Sequence, residues 1–104
     1  MEGKFFPEYL NQGSKGPAVA LLQVILKMGS FDEIAPLKQN QIVLDGDYGQ
    51  VTARAVRELQ KLLEVEEDGN FGPQTREGLR QWVGIDVNSI PADLFTGETQ
   101  SVGP

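Results

Sequence analysis

Asp45 and Asp47 stand on either side of Gly46, and Asp68 and Asn70 stand on either side of Gly69 in a second copy of the same phrase. The full phrase is Asp-Gly-x-aromatic-Gly-x-x-Thr, at 45–52 and again at 68–75. Closely spaced side-chain oxygens of this kind suit three kinds of chemistry. They could ligate calcium, act as an acid–base pair in hydrolysis, or, with the glycines, cradle an anion at a helix start. A fourth use is architectural. Asp-Gly makes a tight turn, the glycine taking a backbone conformation closed to other residues while the aspartate bonds nearby amides.

The calcium reading fails on spacing. A loop of the EF-hand kind needs an oxygen ligand at its fifth position and a bidentate carboxylate at its twelfth. Counted from Asp45, those positions hold Gly49 and Val56; counted from Asp68, they hold Gly72 and Leu79. The anion cradle lacks the lysine that follows the glycines of a phosphate loop, and its flanks are acidic. As an acid–base pair, Asp45 and Asp47 flank a tight turn with no evident cleft, and a solvated aspartate has no cause for a raised pKa. Helix starting accommodates every residue of the phrase. Gly49 and Gly72 fall at N-caps, Pro73 takes the first helical position, and Tyr48 and Phe71 fold back as apolar anchors. Thr52 and Thr75 lie in the first turn, where a hydroxyl can bond free backbone groups.

The rest of the chain narrows the chemistry further. Its 104 residues contain no cysteine and no histidine, which removes disulfides, thiolate nucleophiles, histidine-based catalytic arrangements and nearly every zinc site. No metal and no cofactor is expected. Hydrophobic residues make up 39% and charged residues 23%, the balance of a soluble globular domain. The net charge of −6 argues against nucleic acid and against non-specific adsorption to anionic membranes or anionic wall polymers, since these rely on basic surfaces. No apolar run is long enough to cross a bilayer, and the first residues show no signal peptide. The chain therefore reads as cytoplasmic or phage-like, or as a segment of a longer exported protein.

Three helices must carry the two corners. The first opens near Ser14, a plausible N-cap, with Pro17 in the first turn and Gly29 placed to end it. From Ala18 to Leu26 only Gln23 is polar, which predicts a helix enclosed at the centre of the domain and an amide that must find partners there. A connection at 30–44 follows, in which Pro36 blocks a continuous helix and the run 41–44 forms one short extended segment. The second helix runs from about Val51 to Leu63, with Ala55, Val56, Leu59, Leu62 and Leu63 on one face. The third runs from Pro73 to about Val83, with Thr75, Leu79, Trp82 and Val83 sharing a face. Val-x-x-Leu-Gln-x-x-Leu occurs in both of the first two helices, placing Gln23 and Gln60 at the same helical phase. Core amides that bond neighbouring loops are the favoured reading of these glutamines, ahead of a ligand contact. Ile85, Val87 and Ile90 are placed to pack on the core. The expected architecture is an all-α, compact three-helix bundle with short Asp-Gly turns. Its expected organisation is an N-terminal extension at 1–9, the domain at 10–90 and a tail or linker at 91–104.

Taken in order, these residues resemble the type 1 peptidoglycan-binding domain, a small helical module often joined to bacterial cell-wall hydrolases. The resemblance rests on Gly13, Ser14 and Gly16; on Val19, Leu22 and Gln23; and on Asp45, Gly46, Tyr48, Gly49 and Thr52. It continues through Ala55, Val56 and Gln60, and then Asp68, Gly69, Phe71, Gly72, Pro73, Thr75 and Leu79. Leu59 departs from the pattern, standing where the family usually has an aromatic residue, and the 30–44 link is longer than usual.

The resemblance implies a three-helix fold and a non-catalytic module that binds peptidoglycan and anchors or targets a partner domain to the wall. The implied partners are a glycan strand or stem peptide and a linked hydrolase domain, with the module itself a monomer. The implied location is the cell wall, outside the cell or in the periplasm, if the parent protein is exported. A muropeptide carries carboxylates and amides, so its site should offer arginine, amide or hydroxyl groups and some aromatic surface. The candidates are Asp47, Tyr48 and Asn70 at the turns, with Arg54, Arg76 and Trp82 on the helices. Tyrosine and tryptophan in such places are more often core or half-core residues, and the arginines are more often solvated surface. The competing reading is a protein-interaction or structural module that keeps the fold without binding sugar.

Overall fold

Glycine opens each of the three helices. In a computed structural model of the chain, which describes residues 9–29, 31 and 42–87, helix α1 spans Pro17–Met28, α2 spans Gln50–Leu63 and α3 spans Pro73–Gly78. Their N-caps are Gly16, Gly49 and Gly72, and Pro17 and Pro73 stand just inside the first and third. Proline there loses no helical hydrogen bond, because the first N–H groups have no partner in the helix. Gly49, Gly72 and Pro73 thus take the positions expected of them. Ser14 does not cap α1. It is buried two residues upstream of the cap, where its hydroxyl accepts the Asn11 backbone N–H at 3.1 Å.

Helix α1 buries Ala18, Val19, Leu22, Gln23, Ile25 and Leu26 and ends at Gly29. Burial of Val19, Leu22 and Leu26 stabilises the fold by about 1.5–3 kcal/mol each as an upper value. The helix is not enclosed on every side, since Val24 is 37% exposed and Met28 more so. Helix α2 packs against α1 and against α3, burying Thr52, Ala53, Ala55, Val56, Leu59, Gln60 and Leu63. Leu62, expected on that face, is 60% exposed. It lies two turns beyond Ala55 near the end of the helix, where periodicity continues but covering neighbours do not.

The third helix changes pitch. After Gly78 the chain winds one π-helical turn over Leu79–Val83, and the Gly84 N–H reaches five residues back to the Leu79 carbonyl at 3.0 Å. A π turn takes more residues than an α turn, so the face set up by Thr75 and Leu79 rotates away from the residues that follow. Thr75 and Leu79 are buried as expected, but Trp82 and Val83 are exposed. The expected four-residue stripe is therefore only its first half.

Among the described residues there are no strands, and the structure is a three-helix, all-α bundle. Two isolated antiparallel bridges, Leu10 with Phe71 and Lys15 with Asp47, hold the segment 10–16 against both corners. Val43 and Leu44 precede the first corner without strand pairing and Ile42 is buried, while Gln41 lies outside the described residues. Ile85 packs partly buried on the core and Val87 is buried, whereas Ile90 falls outside the described residues.

Candidate functional site

The two corners are built on one plan, each around a glutamine carried by a helix, Gln23 on α1 and Gln60 in the last turn of α2. In the first, Gln23 Oε1 accepts the Gly46 N–H at 3.0 Å, and Gln23 Nε2 donates to the Asp47 carbonyl at 2.9 Å, Thr52 Oγ1 at 3.1 Å and Asp45 Oδ1 at 3.3 Å. In the second, Gln60 Oε1 accepts the Gly69 N–H at 2.9 Å, and Gln60 Nε2 donates to the Asn70 carbonyl, Thr75 Oγ1 and Asp68 Oδ1, each at 2.9 Å. An amide nitrogen has two hydrogens for these three acceptors, so one hydrogen is shared. The core amides thus bond neighbouring loops, as expected. The threonines differ from expectation: their hydroxyls accept from the glutamines, and neither helix start has a side-chain cap hydrogen bond.

The aspartates are equally committed. Asp45 Oδ1 also accepts the Asp47 N–H at 2.9 Å, and Asp68 Oδ1 accepts the Asn70 N–H at 3.0 Å. The Asp47 backbone N–H holds the Asp45 carboxyl below its ordinary range, outweighing an opposing cost of desolvation, and the Gln23 amide adds to the lowering. Tyr48 is 2% exposed and donates its hydroxyl to the Gly69 carbonyl at 2.7 Å, which ties the first corner to the second. Burial pushes its phenol well above the usual range, so at ordinary pH it remains a donor.

The six candidate side chains do not converge on one spot. Asp47 borders a small hollow with Val43, Gln50 and Val51. Asn70 borders another with Tyr9, Glu66, Pro73 and Gln74. Trp82, 70% exposed, borders a wider open groove of about 850 Å³ with Leu63, Glu64, Val65, Glu66, Glu77 and Gln81. Glu66, Pro73 and Gln74 line both of the last two, so Asn70 and Trp82 share one continuous surface. Tyr48 lies in the core. Arg54 is exposed on α2 and Arg76 half-buried on α3, and neither lines these three hollows.

Sequence reasoning missed the groove's own residues, chiefly Glu64, Glu66, Gln74 and Gln81. Glu64 and Glu66 lie in the acidic link, residues 64–67, that joins α2 to the second corner, and Gln74 and Gln81 lie on α3 and the π turn after it. At the groove's edge Glu77 accepts from Arg80 Nε at 3.2 Å and from Gln81 Nε2 at 3.0 Å. The hydrogen bond from Arg80 lowers the Glu77 pKa and raises that of Arg80.

The paired glutamine-centred corners and the aromatic-edged groove belong to one small helical domain. A family model for the peptidoglycan-binding domain matches residues 15–79, more than half of the chain, and the chain belongs to that family. Membership implies association with the cell wall. No curated protein matches the chain, and no helix among the described residues is long and apolar enough to cross a membrane.

Proposed function

We propose that this protein is a non-catalytic module that binds peptidoglycan and holds a linked partner, such as a hydrolase domain, at the wall. The observation that carries the reading is Trp82, which is 70% exposed and borders the groove that runs into the hollow beside Asn70. An exposed aromatic beside amide and carboxylate groups is a surface on which the apolar face of a sugar can lie while its polar groups are bonded from the rim. Asp47, Arg54 and Arg76 remain peripheral candidates, and Tyr48 would act through the fold. Tethering raises the effective concentration of a partner near its substrate without any chemistry by the module.

The carboxylates support a non-catalytic role. Glycoside hydrolysis needs one carboxyl that stays protonated until it donates. Asp45 is held the other way, ionised by its turn.

The test is co-sedimentation of the whole chain with purified sacculi at physiological salt. Trp82→Ala is expected to weaken binding about tenfold, a modest loss for one aromatic anchor. Failure of the unaltered chain to sediment with any wall chemotype would instead favour the protein-interaction reading, which the net charge of −6 supports.

A further inference from the structure

The groove beside Trp82 has a one-sided charge. Its charged lining residues are Glu64, Glu66 and Glu77, with no lysine or arginine among them. Glu77 is already engaged by Arg80 and Gln81. Glu64 and Glu66 are exposed and make no ion pair with a described residue. Glu64 is also the only non-glycine residue among those described with a left-handed backbone, at φ 61°, in the position closing α2 where glycine is usual. A carboxylate stands on the rim in place of the residue the backbone favours.

A carboxylate set in the groove would be repelled by Glu64 and Glu66, so the carboxylates of a stem peptide lie outside it. A cation is attracted twice, by the two carboxylates and by the exposed face of Trp82. We propose that the groove recognises a primary ammonium group on peptidoglycan, the free side-chain amine of a stem-peptide diamino acid, with Glu64 and Glu66 as counter-charges and Trp82 as the cation's aromatic face. The proposal rests on the wall-binding reading. Cross-linking turns that amine into a neutral amide, so the groove selects stem peptides that are not yet joined through it. The recognised feature is thus the opposite of the carboxylates and amides that the amino-acid sequence led us to expect.

Chemical modification of the wall tests the charge directly. Sacculi are treated with acetic anhydride, which neutralises amines, or by reductive methylation, which keeps their charge. Binding of the whole chain is then compared with that to untreated sacculi. Acetylation is expected to weaken binding about tenfold and methylation to change it by less than about threefold, for exposed ion pairs acting with one cation–π contact. The double variant Glu64→Gln, Glu66→Gln should bind untreated sacculi only as well as the unaltered chain binds acetylated ones. Soluble stem peptides with a free or an acetylated diamino-acid side chain, competing against sacculi, confirm that this amine is the one read. Equal binding to acetylated and untreated sacculi, with Trp82→Ala still defective, overturns the amine proposal and leaves the wall-binding reading standing. Absence of binding to untreated sacculi removes both.

Discussion

Gln60 is the residue on which the second corner turns. Replacing it with leucine keeps most of the volume but removes the Gln60 partner of the Gly69 N–H, the Asn70 carbonyl and the Thr75 hydroxyl, and one of the two donors to Asp68 Oδ1. Buried polar groups left without partners cost far more than the net value of the bonds themselves. Gln60→Leu is therefore expected to lower unfolding stability by about 3 kcal/mol, measured by urea titration. Asp45 gives the fold a dependence on acid. Its folded pKa lies below its ordinary value of 3.8, so its stabilising effect is complete above that value and is lost as pH falls through the folded pKa. Asp45→Asn is expected to flatten the loss of stability below about pH 4, read from thermal melts across that window. An unchanged acid profile in the variant would mean that other carboxylates set it.

Helix starts and stops differ in how much substitution they tolerate. Gly46 and Gly69 take the same left-handed backbone, at φ 76° and 77°, yet their surroundings differ. A Cβ at Gly46 would lie 3.1 Å from the Gly16 carbonyl oxygen, which belongs to the backbone and cannot move aside. At Gly69 the nearest atom is Arg57 Nε at 3.3 Å, on a flexible side chain. Both alanine variants carry a left-handed penalty of about 1–2 kcal/mol. Gly46→Ala should exceed Gly69→Ala, and equal losses in chemical denaturation would show that the Gly16 contact relaxes. The opposite sign is expected at the end of α2. Glu64→Gly relieves a left-handed glutamate and should stabilise the domain by about 1 kcal/mol in the same assay.

The whole molecule joins its corners instead of letting each stand alone. The Tyr48 hydroxyl reaches from the first corner to the Gly69 carbonyl of the second. The segment 10–16 pairs with both, through Leu10 with Phe71 and through Gly13, Ser14 and Gly16 with the backbone of Tyr48 and Gly46. Opening one corner therefore breaks contacts of the other. The Gly46 and Gly69 amides, each bonded to a buried glutamine, are expected to exchange with solvent deuterium only through global unfolding and with the same free energy. Faster exchange at either would show the corners to be separate cooperative units.

Local rules placed the helices, the corners and the two glutamines. Proline and glycine constrain the backbone within a turn or two of themselves, and a polar residue in an apolar stripe must be bonded wherever the stripe is buried. The repeated phrase made Gly49, Gly72, Tyr48 and Phe71 legible for the same reason. Where periodicity was extended past its cause, it failed. Leu62 keeps the α2 phase but loses its covering neighbours, and Trp82 loses its phase because Leu79–Val83 winds as a π turn. Those two outcomes depend on contacts between segments distant in the chain and on hydrogen bonds that no local residue pattern specifies. The groove between Glu64 and Trp82 was invisible for that reason. Its residues come from the end of α2, the acidic link and the far side of α3, and only packing brings them to one surface.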